Sequence, residues 1–379
     1  MSLADLTFGV VAVPLAVAWS AVSRLSLAVL RGVGLLRPAP VSPIADVDVS
    51  GRVVIVTGAN TGIGKRTAFN LAQAGAKVIM ACRSLERGEK ARRDLESEMR
   101  ESSSSMAGDA SVKGRGSLEV MECDLNELES VRAFARDFKA KHGNQLDVLV
   151  NNAGLGMNNG PPLTADGLDL VFGVNFVGHF ELTMKLMPLI QANPEARVIC
   201  LSSVMHHTGC TDWESSVYGR PNHRGLTTYA DSKLAMVLFA KELRRRFAAA
   251  GSSATAFAVN PGAVRSDIWR AIPKSVMPVY DFFMRLLYLD VEQGCFTSVC
   301  TSAWPLEKLS ESVYYQPLWM PFGCPWPCEI MGPFVGCAPA RPTLPKDEPA
   351  ASLALWTTCE QAVKAAGAAR GDAASAARG

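Results

Sequence analysis

Neither sign of charge dominates this chain: 38 Lys and Arg stand against 36 Asp and Glu, a formal net charge of +2. No cationic face for nucleic acid is announced by that balance, and no nucleic-acid partner is expected. Charged residues are few, 20% of 379, while apolar ones reach 48%, which excludes a disordered chain or an acidic tail. Ten Cys over this length are too sparse for a disulfide scaffold; they read as mostly buried free thiols of a reducing compartment. No internal repeat is visible. The length allows one large domain or two small ones, with a substantial core either way.

What the chain has in excess is hydropathy. A mean of +0.12 is high for a soluble protein and asks for a membrane segment. The N-terminus supplies one. From Leu6 to Val22 every residue is apolar or small apart from Thr7 and Ser20, with Pro14 interrupting the run. Such a stretch is at the short end of what spans a bilayer. Arg24, Arg31 and Arg37 all follow it, and Asp5 is the only acid in the first 45 residues. By the positive-inside tendency, the bulk of the chain then lies on the cytosolic side. Residues 1–37 are therefore expected to be an uncleaved signal anchor or a Pro-kinked segment in one leaflet. A cleaved secretory signal and an organelle transit peptide are the alternatives. Residues 38–49 read as a stiff Pro-rich linker.

A compact domain is expected over residues 50–318. Val53–Thr57 is a continuous apolar run, the mark of a strand buried on both faces of a parallel sheet. Similar runs follow at Lys77–Cys82, Leu118–Cys123, Leu146–Asn151, Arg197–Ser202 and Ala254–Asn260. Helical spacing fills the intervals at Gly62–Ala74, Leu85–Arg100, Leu128–His142, Val174–Ala192 and Thr228–Ala249. This alternation predicts an α/β fold: a single Rossmann-type domain, doubly wound, with a parallel sheet and helices on both faces. Residues 101–117 lack any apolar period and read as a disordered insert. A Pro/Trp/Cys-rich insert over 319–345, a C-terminal helix over 346–366 and a disordered tail over 367–379 complete the chain.

Thr57-Gly-Ala-Asn-Thr-Gly-Ile-Gly64 joins the first strand to a helix start. A Gly-rich turn in that position is suited to a dinucleotide phosphate, because free N–H groups and the positive dipole end point at the anion. The end of the second strand offers Cys82, Arg83 and Ser84, with no acid before Glu86. Arg83 is placed to pair a 2′-phosphate and Lys65 adds a second positive charge, so NADP(H) is expected rather than NAD.

Tyr229-Ala-Asp-Ser-Lys233 opens a helix, and the i, i+4 spacing puts Tyr and Lys on one face. Ser202-Ser203, Asn151-Asn-Ala-Gly154 and Asn260-Pro-Gly262 each end an apolar strand, where ligands of open α/β sheets bind. With these motifs in this order, the chain resembles the short-chain dehydrogenase/reductase family from about Arg52 to Ala303, and weakly again over Leu353–Val363. Gly62-Ile-Gly-Lys65, Ala81-Cys-Arg-Ser84, Val174-Asn-Phe-Val-Gly-His-Phe180 and Ser232-Lys-Leu-Ala235 are similar to the retinol dehydrogenase-like, membrane-anchored branch.

That resemblance implies NADP(H), a hydrophobic alcohol or carbonyl substrate and an N-terminal anchor. It implies Tyr229 as the proton donor or acceptor, with Lys233 stabilising the phenolate and holding the nicotinamide ribose. Ser203, the second of its pair, would hold the substrate oxygen, and Asn175 would support a water relay to the Lys. The dinucleotide would be met by Gly58, Asn60, Thr61, Gly62, Ile63, Gly64, Lys65, Arg83, Asp124, Leu125, Asn151, Ala153, Gly154, Pro261, Gly262 and Val264, besides Tyr229 and Lys233. Asp124 is also readable as a turn acceptor, Asn175 as a helix N-cap, and His206-His207 as substrate-loop lining or surface.

Three stretches depart from the family. The loop His207–Leu226 is long, and Trp213 and Tyr218 are candidates to line the pocket. Pro273–Leu289 is an apolar, helix-like segment fit for a lid or for contact with a membrane surface. Within Trp319–Pro342, Cys324, Cys328 and Cys337 form a poor zinc pattern with no nearby His, so no metal is expected. The expected activity is interconversion of a hydrophobic alcohol (retinoid, sterol or long-chain) and its aldehyde or ketone. A catalytically silent dinucleotide-binding scaffold at the membrane and a reductase of a pigment or quinone stand as alternatives. The membrane is expected to be endoplasmic reticulum or lipid droplet, with plastid or mitochondrion as the alternative, and homo-oligomerisation is left open.

Overall fold

The computed structural model describes residues 44, 47–104, 116–156, 163–219, 225–265, 288–317 and 337–376. The expected anchor, most of the linker, most of the 101–117 insert, most of the lid segment and Cys324 and Cys328 lie outside them. No helix of the described residues is long and apolar enough to cross a membrane.

Eight strands form one sheet: β1 (Val53–Thr57), β2 (Lys77–Cys82), β3 (Ser117–Glu122), β4 (Val148–Asn151), β5 (Arg197–Leu201), β6 (Thr255–Val259), β7 (Tyr314–Gln316) and β8 (Ala338–Ala340). Their spatial order is β3-β2-β1-β4-β5-β6-β7-β8. All neighbouring pairs run parallel except β7 with β8. β1, β4 and β5 are buried at every residue, as expected of strands covered on both faces. The short strands β7, just before the Pro/Trp/Cys-rich stretch, and β8, within its C-terminal part, extend the sheet beyond the six strands legible in the sequence.

The helices are α1 (Gly62–Gln73), α2 (Leu85–Ser104), α3 (Leu128–His142), α4 (Gly178–Ala192), α5 (Trp213–Tyr218), α6 (Leu226–Ala249), α7 (Val291–Gly294), α8 (Phe296–Ala303) and α9 (Glu348–Ala376). A three-residue turn, Leu170–Phe172, and a π-helical turn, Gly173–Val177, lead into α4. Two cores result, one per sheet face. On one face β1, β4, β5 and β6 pack with α3, α4, α6 and α9 through Phe134, Phe180, Phe239 and Trp356. On the other face α1, α2 and α8 pack through Phe69, Leu95 and Phe296. This is the doubly wound arrangement. Among the described cysteines all are free thiols, six of them buried.

Helix α9 is buried along a stripe of Leu355, Trp356, Cys359, Ala362 and Ala366 and runs on to Ala376. It spans Glu348–Ala376 where 346–366 was expected, so that residues 367–376, expected to belong to a disordered tail, continue the helix, as their Ala content favours.

Candidate active site

The strand order reverses between β1 and β4, and the carboxyl ends of these two strands open the crevice where such sheets bind ligands. Gly58 and Gly62 take positive φ of 65° and 57°, which turns the chain sharply off β1 and into α1. The N-cap residue Thr61 makes no side-chain cap hydrogen bond to the start of α1, and a helix start of this kind suits an anion. The turn is pressed against the β4 segment. A Cβ on Gly64 would lie 2.5 Å from the Gly58 carbonyl oxygen and collide with Asn152 Nδ2, and one on Gly58 would lie 3.0 Å from Ala153.

Thr57, which the sequence reading passes over as the last strand residue, fastens the two ends. Its Oγ1 accepts from the backbone N–H of Asn152 and of Ala153, both at 2.9 Å, while Asn152 Nδ2 donates to the Thr57 carbonyl at 2.7 Å. A hydroxyl at a strand end facing a reversal of strand order is the signal that points to it.

Tyr229 and Lys233 lie one turn apart on α6, with Lys233 Nζ 5.4 Å from the Tyr229 ring centre. Lys233 is 3% exposed, and its Nζ donates to the Leu201 carbonyl at 3.1 Å. Burial pushes its pKa down to about 8. Burial pushes the half-buried Tyr229 up to about 12, and a hydrogen bond with the Ser203 side chain pulls the other way. The two serines divide as strand geometry dictates. Ser202 is buried and donates to the Lys233 carbonyl at 2.8 Å, whereas Ser203 turns to Tyr229.

Asn175 is fully buried inside the π turn, not at a helix N-cap. Its Oδ1 accepts from Leu155 N–H at 2.7 Å, and its Nδ2 donates to the Leu155 carbonyl at 2.9 Å and to Ser232 Oγ at 3.1 Å. It therefore joins the Asn151–Leu155 segment to α6. A Cβ on Gly154 would sit 3.4 Å from Asn175 Oδ1 and 3.6 Å from Lys233 Nζ, so these three residues converge.

Arg83 is exposed immediately after β2. Lys65, in α1, pairs with Asp94 of α2 at 3.2 Å. Asp124 accepts from Asn126 N–H at 2.9 Å as a turn acceptor, and Leu125 is buried against Gly178. Asn60, Thr61 and Ile63 lie in the glycine turn and the start of α1. Pro261, Gly262 and Val264 follow β6, and Val264 is buried against Gly294. Gly262 holds a positive φ of 81°.

Two expectations change. Trp213 does not line a pocket: it is 3% exposed, its ring lies against Phe172, and its Nε1 donates to Ala351 in α9. His206 is neither surface nor loop lining, being 1% exposed with its ring beside Tyr314 of β7. Tyr218 is exposed.

The arrangement fits a dinucleotide. A glycine cradle that any Cβ would fill faces a tyrosine, a lysine and a serine across the crevice, and a nicotinamide held there supplies or accepts the hydride. The short chain dehydrogenase family model matches residues 52–215. Retinol dehydrogenase 11 of Mus musculus is 37% identical over 271 residues, which is 71% of this chain and 78% of that protein. Retinol dehydrogenase 12 of Homo sapiens is 34% identical over 303 residues, 76% of this chain and 88% of that protein. The crystal structure of an uncharacterised protein from Mycobacterium paratuberculosis superposes with a TM-score of 0.60 at 29% identity, over 85% of this chain and 97% of that one. With a glycine cradle at the switch point and relatives this similar along most of its length, the chain belongs to the short-chain dehydrogenase family, in its retinol dehydrogenase-like branch, and is an NAD(P)-dependent alcohol dehydrogenase.

Proposed function

We propose that the chain interconverts a hydrophobic alcohol (retinoid, sterol or long-chain) and its aldehyde or ketone with NADP(H), and that Tyr229 is the acid/base. The observation that carries this reading is the convergence of Tyr229, Lys233 and Ser203 opposite the glycine cradle. Ser203 holds the substrate oxygen within reach of the phenol, and Tyr229 passes the proton to the developing alkoxide or takes it in the oxidative direction. Lys233 favours the phenolate through its charge. Retinol dehydrogenases 11 and 12 are named for a hydrophobic alcohol, which supports the substrate class. An exposed cation directly after β2, with no acid beside it, supports the 2′-phosphorylated cofactor. The N-terminal apolar run followed by three Arg supports attachment to a membrane with the catalytic domain cytosolic, endoplasmic reticulum or lipid droplet being the proposed site and plastid or mitochondrion the alternative.

The test is turnover of a panel of hydrophobic alcohols and aldehydes with each cofactor, by the wild type and by Tyr229→Phe. We expect turnover by the wild type and a loss of roughly 10²–10⁴-fold in kcat for the variant, with NADPH binding retained. Equal turnover by the variant removes Tyr229 as the acid/base. NADPH binding without turnover of any panel member leaves the scaffold reading, and turnover confined to quinones or pigments leaves the third.

A further inference from the structure

The second residue of α4 is a fully buried histidine, His179, whose ring bridges two parts of the site. Its Nδ1 lies 2.9 Å from the Asn175 main-chain oxygen, and its Nε2 lies 2.8 Å from Thr57 Oγ1. A carbonyl can only accept, so Nδ1 carries a proton. At the other end, the Thr57 oxygen spends both lone pairs on the N–H groups of Asn152 and Ala153, and has one proton left to give. The Val150 carbonyl at 3.3 Å and the ring Nε2 at 2.8 Å compete for it, and the nearer nitrogen takes it. An imidazolium would aim a second N–H at an oxygen with no lone pair left. Hydrogen-bond counting alone therefore makes the ring neutral, protonated on Nδ1. Burial, which lowers its pKa to about 4, and the nearby Lys233 charge act in the same direction.

We propose that His179 is a positioning residue: locked in the Nδ1–H form, it clamps the Asn175 carbonyl to the Thr57 hydroxyl and so holds the glycine turn, the Asn151–Leu155 segment and the Lys233 face of α6 in register. The inference rests on the proposed function, in that the cleft so held is the one that binds NADP(H). The path is continuous. Thr57 fixes Asn152 and Ala153, His179 joins Thr57 to Asn175, and the Asn175 side chain joins Leu155 to Ser232, the residue before Lys233. Each link is buried at least in part, so a ring of the wrong tautomer would leave a desolvated polar atom without a partner.

The first measurement is the ¹⁵N spectrum of the wild-type imidazoles; the chain has only five His. Two buried rings are expected to keep a protonated Nδ1 and a bare Nε2 from about pH 5 to 9, His179 and also His206, whose Nδ1 lies 2.7 Å from the Ser203 carbonyl and whose Nε2 accepts from Thr343 N–H at 3.3 Å; one of these two signals should be missing in His179→Phe. A His179 ring protonated on Nε2 overturns the proposal.

The second is kinetic. His179→Phe should lower kcat by roughly 10–100-fold and raise the NADPH Kd by roughly 10-fold, since a small misplacement of reacting groups costs this much. His179→Gln, which keeps a donor and an acceptor, should recover to within roughly 5-fold of wild type. The control is Leu186→Ala, a cavity in the same helix, which should lower Tm without changing kcat or Kd. If His179→Phe loses no more than this control, the role is structural and the proposal fails. Should the Phe variant not fold, the ring spectrum and the Gln variant decide. A wild type that binds no NADPH removes the functional reading and this one together, whereas wild-type turnover matched by His179→Phe removes only this one.

Discussion

Burial works on both members of the Tyr229–Lys233 pair, in opposite directions. The phenol stands near 12 and the ammonium near 8. Proton transfer at neutral pH therefore needs the phenolate to be favoured by the groups that face it. Ser203 already contributes in that direction, and the Lys233 charge stands 5.4 Å from the ring centre. A bound oxidised nicotinamide adds positive charge to the same cleft. On the proposed reading, cofactor choice turns on Arg83. Arg83 is exposed after β2, while Lys65 is held by Asp94, so Arg83 is the better placed of the two to meet a 2′-phosphate. Arg83→Ala should reduce the NADP-over-NAD preference in kcat/KM by roughly 10–100-fold with the NAD rate little changed. Parallel kinetics with the two cofactors check this, and an intact preference would place phosphate recognition elsewhere.

At the scale of elements, the glycine turn gives the sharpest expectation. Because a Cβ at residue 64 meets the Gly58 carbonyl and Asn152 at once, Gly64→Ala must open the joint between β1 and β4. Overpacking of this kind costs about 1–3 kcal/mol, and the NADPH Kd should rise at least roughly 10-fold. Calorimetric titration of a variant that still melts cooperatively is the check, and an unchanged Kd would mean that the turn does not touch the cofactor. This turn was legible in the sequence because an apolar run, a Gly-rich stretch and an amphipathic helix follow one another without a gap. The six central strands were legible for the same reason. The strands β7 and β8 were not, since three residues carry no period. Nor was the π turn, because hydrophobic spacing over Val174–Ala192 is the same whether or not the backbone inserts one wider turn. The shared face of Tyr229 and Lys233 was readable from their spacing, while the Tyr229–Ser203 hydrogen bond and the links through Thr57 and His179 needed coordinates, the Thr57–His179 contact joining residues 122 positions apart.

At the scale of the molecule, α9 completes the face of the sheet that carries the site. It lies over α6 and α4, with the Trp356 ring centre 5.1 Å from that of Phe180 and 5.8 Å from that of Phe239. The Arg246 guanidinium stacks on the Trp356 ring at 3.6 Å. Arg132 binds the helices together from the other side, through Glu181 of α4 at 2.6 Å and the Val363 carbonyl of α9 at 3.4 Å. The same helix buries Trp213 through Ala351, which is why that aromatic serves the core and not the pocket. Trp356→Ala should therefore cost about 3–5 kcal/mol, through the lost area and the cavity beneath it. For a domain of this size that is a fall in Tm of roughly 6–15 °C. Because Trp356 lies on the outer side of α6, away from the glycine cradle, saturating NADPH should still raise Tm by the wild-type increment. Thermal melts with and without NADPH separate the outcomes. A Tm within about 2 °C of wild type would show that α9 is dispensable to the core, and loss of the NADPH increment would show that it holds the cleft as well as the fold.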